Sequence, residues 1–363
     1  MTDNRNYGLD ILRCVSMTMI VISHIISHGG IINAAEGIRY DVLSILETAV
    51  YCSVDVFAML SGYLMVSKRF QGRKLIELWF QVIFYSVVCN GILIAIHPEM
   101  LSMKTLSKTL LPVLMREYWY ITSYFAMFFF IPYMNRLLHS EYAVPFLITV
   151  IMIFSFIPMV VMQDPFYTGY GYSPLWLGVC YLIGGYIRLH PSGEKAHRYG
   201  IGYLVVVACV SISKIVLRCI AERTGLPASI GYYFISYTSP FILLEAVFLL
   251  KAFSKITVKN SWAKDAFSFL SAGALTVYLV HEAYLVRQLY ITDRFVGFNQ
   301  MNLSLEIVCV VVVSIAVFLF VAAIDSFRRK LFSLLRINQT AEKIYIFGEK
   351  IYRIMEKYLQ IYK

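Results

Sequence analysis

Stretches of about twenty mostly apolar residues recur along the whole chain, and they limit the possible fold more than any other feature. Only helices and closed barrels satisfy their own backbone hydrogen bonds inside a bilayer, and runs of this length favour helices. Composition agrees, because 59% of the 363 residues are hydrophobic and 15% are charged, against about 25% in a soluble domain. We therefore predict an all-α, polytopic membrane helix bundle with about ten transmembrane helices. The predicted spans are 7–28, 42–66, 75–96, 118–138, 143–162, 173–189, 199–220, 231–253, 267–287 and 303–325.

Basic residues are distributed unequally between the two sides of these spans. With the N-terminus in the cytoplasm, 22 of the 32 Lys and Arg residues lie inside and 8 lie outside. Positive residues favour the cytoplasmic side, so both termini are predicted to be cytoplasmic. The same bias, with anionic lipid, accounts for the net charge of +10, and no nucleic-acid partner is expected. Residues 1–327 are predicted to form the membrane domain. Residues 328–363 are predicted to form a basic cytoplasmic tail, either an amphipathic helix on the inner leaflet or a solvated segment.

The first span carries ionisable residues on one face. Arg13 and His24 are separated by eleven helical steps, which places them about 20° apart around the axis and roughly 16 Å apart along it. Asp10 lies near the same face and can pair with Arg13. Ionisable residues are costly in a bilayer and usually face a polar cavity, so this face predicts a polar passage. The imidazole of His24 suits general-base catalysis, although a structural histidine fits the position too. His28 is interpreted as an interfacial residue.

Two sets of polar residues mark the end of the second span. Three polar residues within it are candidates for a ligand site, although Ser61 with Gly62 could serve only close helix packing. Four basic residues follow on the cytoplasmic side, where they could bind a phosphate-bearing ligand or act as a positive-inside anchor. The first set is Asp55, Ser61 and Tyr63, and the second is Lys68, Arg69, Arg73 and Lys74.

Aromatic and ionisable residues lie near the outer ends of the fourth and ninth spans. Trp119 and Tyr120, which follow Glu117, form either an interfacial aromatic belt or a stacking platform for a sugar. Tyr278, His281 and Glu282 lie close together on the ninth span, where His281 could equally be a satisfied core residue. The seven cysteines are scattered without zinc-ligand or disulfide spacing, so no metal site is predicted.

Four segments resemble the membrane acyltransferase-3 family, whose members O-acylate cell-surface polysaccharides and related glycans. In chain order they are LDILRCVSMTMIVISH, SVDVFAMLSGYLM, YWYITSYFAMFFFIPYMNRLL and ALTVYLVHE. The sequence departs from the family pattern at two places. Arg69 and Arg73 are separated by three residues where two is common, and FAML replaces a segment that often has two aromatics. No appended esterase-like domain is expected, which is similar to the bacterial capsule and exopolysaccharide forms.

The resemblance implies a multi-pass O-acyltransferase of a bacterial plasma membrane. It would move an acetyl or short acyl group from cytoplasmic acyl-CoA (acetyl-CoA) to a hydroxyl of a polysaccharide or lipid-linked glycan. Acyl-CoA is expected as a donor substrate, and no cofactor is expected to stay bound. A covalent acyl-enzyme through His24 or Ser61 is left open, as is the oligomeric state. The alternative is a transporter or exporter of a polysaccharide or lipid-linked intermediate.

The resemblance also assigns roles to individual residues. His24 would be the general base, and Asp10 would orient Arg13. The CoA phosphates would be held by Arg13, Lys68, Arg69 and Arg73. The substrate-binding residues would be Asp55, Ser61, Tyr63, Trp119, Tyr120, Tyr278, His281 and Glu282.

Overall fold

Helices supply all the regular secondary structure in the part of the chain that the structure describes, residues 5–361. In this computed structural model the side chains of that range are also described, except those of residues 228, 229 and 352–361. Short 3₁₀ and π-helical turns connect several of the helices. The α-helices are α1 (Tyr7–Ser27), α2 (Gly37–Tyr51), α3 (Ser53–Met65), α4 (Arg73–Ile96), α5 (Met103–Leu110), α6 (Trp119–Phe128), α7 (Ile131–Leu138), α8 (Ala143–Ile151), α9 (Ile157–Val161), α10 (Pro174–Leu189), α11 (Ala196–Thr224), α12 (Pro240–Ser254), α13 (Ser261–His281), α14 (Tyr284–Val286), α15 (Leu303–Leu334) and α16 (Ile337–Ile361).

Capping residues explain where several of these helices begin. The side chain of Asn6 accepts a hydrogen bond from the backbone N–H of Leu9 at the start of α1. Ser173 and Asn260 do the same for α10 and α13, and a proline follows Ser173 at the first helical position. Ser and Asn satisfy N–H groups that have no partner within the helix, while proline loses no bond there.

Six helical segments of the described chain are long and apolar enough to cross a membrane, and a seventh is added if one bent pair forms a single span. The prediction of a polytopic helical membrane protein is therefore confirmed, while the total of ten spans and the cytoplasmic termini stay predictions. The six segments are Tyr7–Ala34, Gly37–Met65, Arg73–Ile96, Ala143–Val161, Ala196–Thr224 and Leu303–Leu334, and the bent pair is Ser261–His281 with Tyr284–Gln300.

The other three predicted spans contain shorter or interrupted helices. In 118–138 the helix breaks between α6 and α7, close to Pro132, which has no N–H to donate. The span 173–189 corresponds to the 16 residues of α10. In 231–253 the helix begins later than predicted, at Pro240, because Ser239 caps it and a 3₁₀ turn precedes it.

Helix α1 lies at the centre of the bundle and packs against α2, α3, α12, α13 and α15. The closest approach is between α3 and α10. A Cβ on Gly62 would lie 1.9 Å from the carbonyl oxygen of Tyr181, and one on Gly184 would lie 1.9 Å from that of Met59. Small residues at these positions therefore let the two backbones touch, as is common between membrane helices.

The predicted tail does not begin at a break in the structure. Helix α15 continues through residue 328 to Leu334, and α16 then packs along α4. Arg73 lies 3.3 Å from Glu342, and the ring of Tyr345 would meet any Cβ placed on Gly72. Residues 362 and 363 of the predicted tail lie outside the described residues.

Gly184→Ala should destabilise the protein strongly, because the added methyl group would clash with the backbone of α3. Overpacking of this kind costs on the order of 1–3 kcal/mol or more. Gly200→Ala adds the same methyl group to α11, where no heavy atom lies within 4 Å, and it is the matched control. Thermal unfolding of both variants in detergent tests this contact, and equal melting temperatures would contradict it.

Candidate active site

The C-terminal end of α1, on the predicted outer side, meets the break that follows α13. His24 lies in the last turn of α1, His281 ends α13, and Glu282 follows where the helix axis bends by 65°. Nδ1 of His24 is 2.9 Å from Nε2 of His281 and 3.0 Å from Oε1 of Glu282. His281 and Glu282 are buried, while 18% of the His24 side chain is exposed. We call these three residues the imidazole cluster.

The hydrogen bonds define which nitrogen of His24 carries the proton. Nδ1 of His281 lies 2.5 Å from the carbonyl oxygen of Val277, which can only accept, so this nitrogen donates. A neutral His281 then has an unprotonated Nε2, which must accept from His24. The carboxylate of Glu282, 3.0 Å from the same Nδ1, favours a proton on that nitrogen through its charge. His24 is therefore assigned its proton on Nδ1, and its Nε2 keeps a free lone pair. A general base needs such a lone pair.

A row of alternating charges continues from Glu282 toward the outer loops. Arg287 lies 3.1 Å from Glu282 and 4.0 Å from Glu117, and Nζ of Lys108 lies 2.7 Å from Glu117. Both glutamates are buried, and a buried carboxylate is costly without a paired cation. Sequence reasoning missed this row because Lys108 and Arg287 were counted as loop charges and Glu117 as part of the aromatic boundary. No regular spacing connects them.

A cavity of about 600 Å³ lies at the opposite end of the bundle, on the predicted cytoplasmic side. We call it the inner cavity. Four cationic side chains line it, namely those of Arg13, Lys68, Arg69 and Lys74, and none of its lining residues, all in the described chain, is acidic. This excess of positive charge fits an anionic ligand. The polar and tyrosine side chains that complete the lining are those of Ser61, Gln71, Gln81, Tyr120, Tyr124, Asn135 and Ser271.

Arg73 and Tyr63, which were predicted to bind ligand near the end of the second span, lie outside this lining. Arg73 is directed to α16, where it pairs with Glu342. The ring of Tyr63 lies under the guanidinium of Arg188, 5.3 Å from ring centroid to carbon. Neither residue is among those that line the inner cavity.

Asp10 connects the N-terminal segment to α13 more directly than it orients Arg13. It forms two hydrogen bonds with Arg5, at 2.7 and 3.1 Å, and accepts one from Ser271 at 2.9 Å. The distance to Arg13 is 3.7 Å, which suits an ion pair but exceeds a hydrogen bond. Arg13 therefore keeps its guanidinium available to the inner cavity.

Asp55 and Trp119 do not line the inner cavity, and neither belongs to the imidazole cluster. The buried carboxylate of Asp55 accepts a hydrogen bond from Nε1 of Trp176 at 2.9 Å, which connects α3 to α10. Trp119 packs on Tyr172 and Tyr237, with ring centroids 4.4 and 6.0 Å away. These contacts give Asp55 a packing role and place Trp119 in an aromatic group close to the outer loops.

The polar passage predicted along α1 is interrupted between the two sites. Met17 and Ile20 occupy the intervening turns on the face shared by the inner cavity and the imidazole cluster, and both are buried. Opposite them, the ring of Tyr120 lies 6.5 Å from that of Tyr278, which lies 6.0 Å from the ring of His281. We call Met17, Ile20, Tyr120 and Tyr278 the separating layer.

Comparison with protein families identifies this architecture. A family model described as an acyltransferase domain matches residues 6–323, which is most of the chain. The chain belongs to the membrane acyltransferase-3 family. No curated protein and no solved structure matches it in the corresponding comparisons. The matched range includes the imidazole cluster, the separating layer and the inner cavity, and it ends before α16.

The tautomer assigned to His24 can be observed directly. In protein labelled with ¹⁵N-histidine and reconstituted in lipid, solid-state NMR should show both His24 and His281 with a protonated Nδ1 and an unprotonated Nε2. The His24 signal should be absent from His24→Gln and present in His97→Gln, a variant of a histidine in the predicted outer loop region. A protonated Nε2 on His24 in neutral protein would contradict the assignment.

Proposed function

We propose that this membrane acyltransferase moves an acetyl or short acyl group from cytoplasmic acyl-CoA to a hydroxyl of a cell-surface polysaccharide or lipid-linked glycan. It would act in a bacterial plasma membrane, in a capsule or exopolysaccharide system. The observation that carries this proposal is the position of His24 Nδ1, 2.9 Å from Nε2 of His281 and 3.0 Å from the carboxylate of Glu282, from which we assign its proton to Nδ1 and a free lone pair to Nε2. A sugar hydroxyl is a poor nucleophile, and it needs a base positioned in this way.

The inner cavity is the proposed donor site. Phosphate groups bind best to arginine, whose planar guanidinium donates two parallel hydrogen bonds, and lysine adds a point charge. Arg13 and Arg69 supply the guanidinium groups, and Lys68 and Lys74 supply the ammonium groups. Lys74 takes the role that was predicted for Arg73, although its ion pair with Glu77 at 2.8 Å offsets part of its positive charge.

The reaction requires two bonds to change at the acyl carbon. The glycan oxygen attacks the thioester carbonyl as its proton passes to Nε2 of His24. The carbon–sulfur bond then breaks, and the CoA sulfur leaves as a thiolate that takes the proton from the imidazolium. Glu282 stabilises the imidazolium through Nδ1, and Arg287 holds Glu282 in place. A positioned base of this kind contributes roughly 10²–10⁴ in rate.

The separating layer must open for the donor to reach His24. The pantetheine arm is thin and unbranched, and Met17 is a flexible side chain, so a change of side-chain conformation would admit it. Tyr120 and Tyr278 would then line the arm, close to the thioester. The acceptor would approach from the outer side, where Trp119 and Tyr172 present a partly exposed aromatic surface.

Replacement of His24 should abolish acyl transfer without unfolding the protein. His24→Gln should lower the rate by about 10²–10⁴, because it removes the imidazole lone pair that accepts the proton in the proposed step. Glu282→Gln should cause a smaller loss, since the amide still accepts a hydrogen bond but no longer balances the imidazolium charge. NMR of O-acetyl groups on purified glycan measures the product, and His97→Gln is the control.

The same measurement separates the proposed enzyme from an exporter. A normal acetyl content in His24→Gln cells would contradict the base assignment. A reduced amount of glycan with unchanged acetyl content would instead favour transport of the glycan.

The position of the donor can be tested with one matched pair of arginines. Arg69→Gln removes a cation that lines the inner cavity, whereas Arg73→Gln removes one that faces Glu342. Loss of a charge-assisted hydrogen bond worth about 1.5–3 kcal/mol should raise the KM for acyl-CoA roughly 10- to 100-fold in Arg69→Gln. The increase in Arg73→Gln should be much smaller. Equal increases would refute the inner cavity as the donor site.

A further inference from the structure

Four potential metal ligands lie together at the outer end of α1, although the sequence predicts no metal site. One donor atom from each of His24, His28 and Glu282 lies within 4.8 Å of the others. His281 adds a fourth, with its Nε2 2.9 Å from Nδ1 of His24. The site could not be predicted from the sequence, because no cysteine lies at zinc-ligand spacing from His24 and His28, and Glu282 is distant from them along the chain.

We propose that a zinc ion binds reversibly to His24, His28, His281 and Glu282 from the outer side and blocks acyl transfer. This inference rests on the proposed role of His24 as the base. Zinc binds imidazole nitrogen and carboxylate oxygen at about 2.0–2.2 Å, usually with four ligands. Tetrahedral ligands at that distance are about 3.4 Å apart. The observed separations of 2.9 and 3.0 Å around Nδ1 of His24 need to widen by only a few tenths of an ångström.

The blocking effect follows from the balance of protons on His24. In the metal-free cluster Nδ1 of His24 carries the proton, faces Nε2 of His281 and the carboxylate of Glu282, and leaves Nε2 free. Zinc at Nδ1 takes the place of that proton, and the neutral imidazole must then carry its hydrogen on Nε2. The ring changes tautomer, and no net proton is released. The ring can no longer accept a proton from the glycan hydroxyl, so the base is lost while the protein stays folded.

Neighbouring groups already hold these ligands as a zinc site requires. The second nitrogen of His281 donates to the carbonyl of Val277, and the second oxygen of Glu282 pairs with Arg287. Such contacts fix the orientation of metal ligands. His28 is exposed beside His24, with ring centroids 4.8 Å apart, so an ion can reach the cluster from outside. Three imidazoles favour zinc over magnesium or calcium, which prefer oxygen ligands.

The experiment combines direct binding with an activity assay on the purified full chain in detergent. After treatment with a chelator, the protein is titrated with ZnCl₂ or MgCl₂ by calorimetry, and acyl transfer is measured under the same conditions. We expect one zinc ion per chain, inhibition that the chelator reverses, and no effect of magnesium. His28→Gln should keep its basal acyl transfer and require at least about tenfold more zinc for half inhibition. His97→Gln should behave like the wild type, and it controls for zinc that binds to histidines outside the cluster.

The outcomes distinguish this inference from the proposed function. Zinc binding that is lost in His24→Gln and Glu282→Gln supports the site, even in a preparation that transfers no acyl group. An active enzyme that binds no zinc at the cluster would overturn the inference and leave the proposed function intact. An affinity for zinc that is unchanged in both His28→Gln and Glu282→Gln would also overturn it.

Discussion

The polar contacts at Nδ1 of His24 depend on the last turn of α13, which ends inside the bundle against α1. The backbone N–H of Glu282 still donates to the carbonyl oxygen of Tyr278, so this last turn places Glu282 beside His281. The chain then bends by 65°, and Arg287 of the next segment pairs with the carboxylate. Ionisable groups in a membrane protein need partners because hydrocarbon cannot solvate them. The end of α13 thus supplies both neighbours of Nδ1, and the bend supplies the cation that balances Glu282.

The same requirement shapes regions that take no part in the proposed reaction. Lys214 on α11 lies 2.9 Å from Glu47 on α2, and both side chains are buried. Asp325 on α15 is paired with Arg328 at 2.8 Å and accepts a hydrogen bond from Tyr85 of α4. Polar contacts of this kind fix the neighbours of a helix in a bundle whose apolar surfaces are similar to lipid. An arrangement of helices that separated such a pair would leave a buried charge without a partner, which is costly, so these contacts favour one arrangement of helices.

The sequence predicted those parts of the site that lie within one regular helix. Arg13 and His24 are separated by a fixed rotation and rise, so their shared face on α1 followed from spacing alone. The choice between Arg73 and Lys74 could not be predicted, because residues 67–72 form no helix and leave the direction of each cation open. The approach of His24 to Glu282 could not be predicted either, since it depends on how α13 packs against α1. Likewise Gly62 indicated close helix packing, but the sequence did not indicate that the helix packed against it is α10.

The separating layer resolves a conflict within the proposed reaction. A permanently open polar passage from the cationic cavity to the outer imidazoles would let water and ions cross the membrane. It would also expose the thioester to hydrolysis before the glycan arrives, which enzymes avoid by excluding water. Apolar and aromatic side chains between the two sites prevent both losses when no donor is bound. The pantetheine arm of the donor would take the space of these side chains as it enters. The passage would therefore be filled both with and without bound donor. On this view Met17, Ile20, Tyr120 and Tyr278 are needed because the donor and the acceptor lie on opposite sides of the membrane.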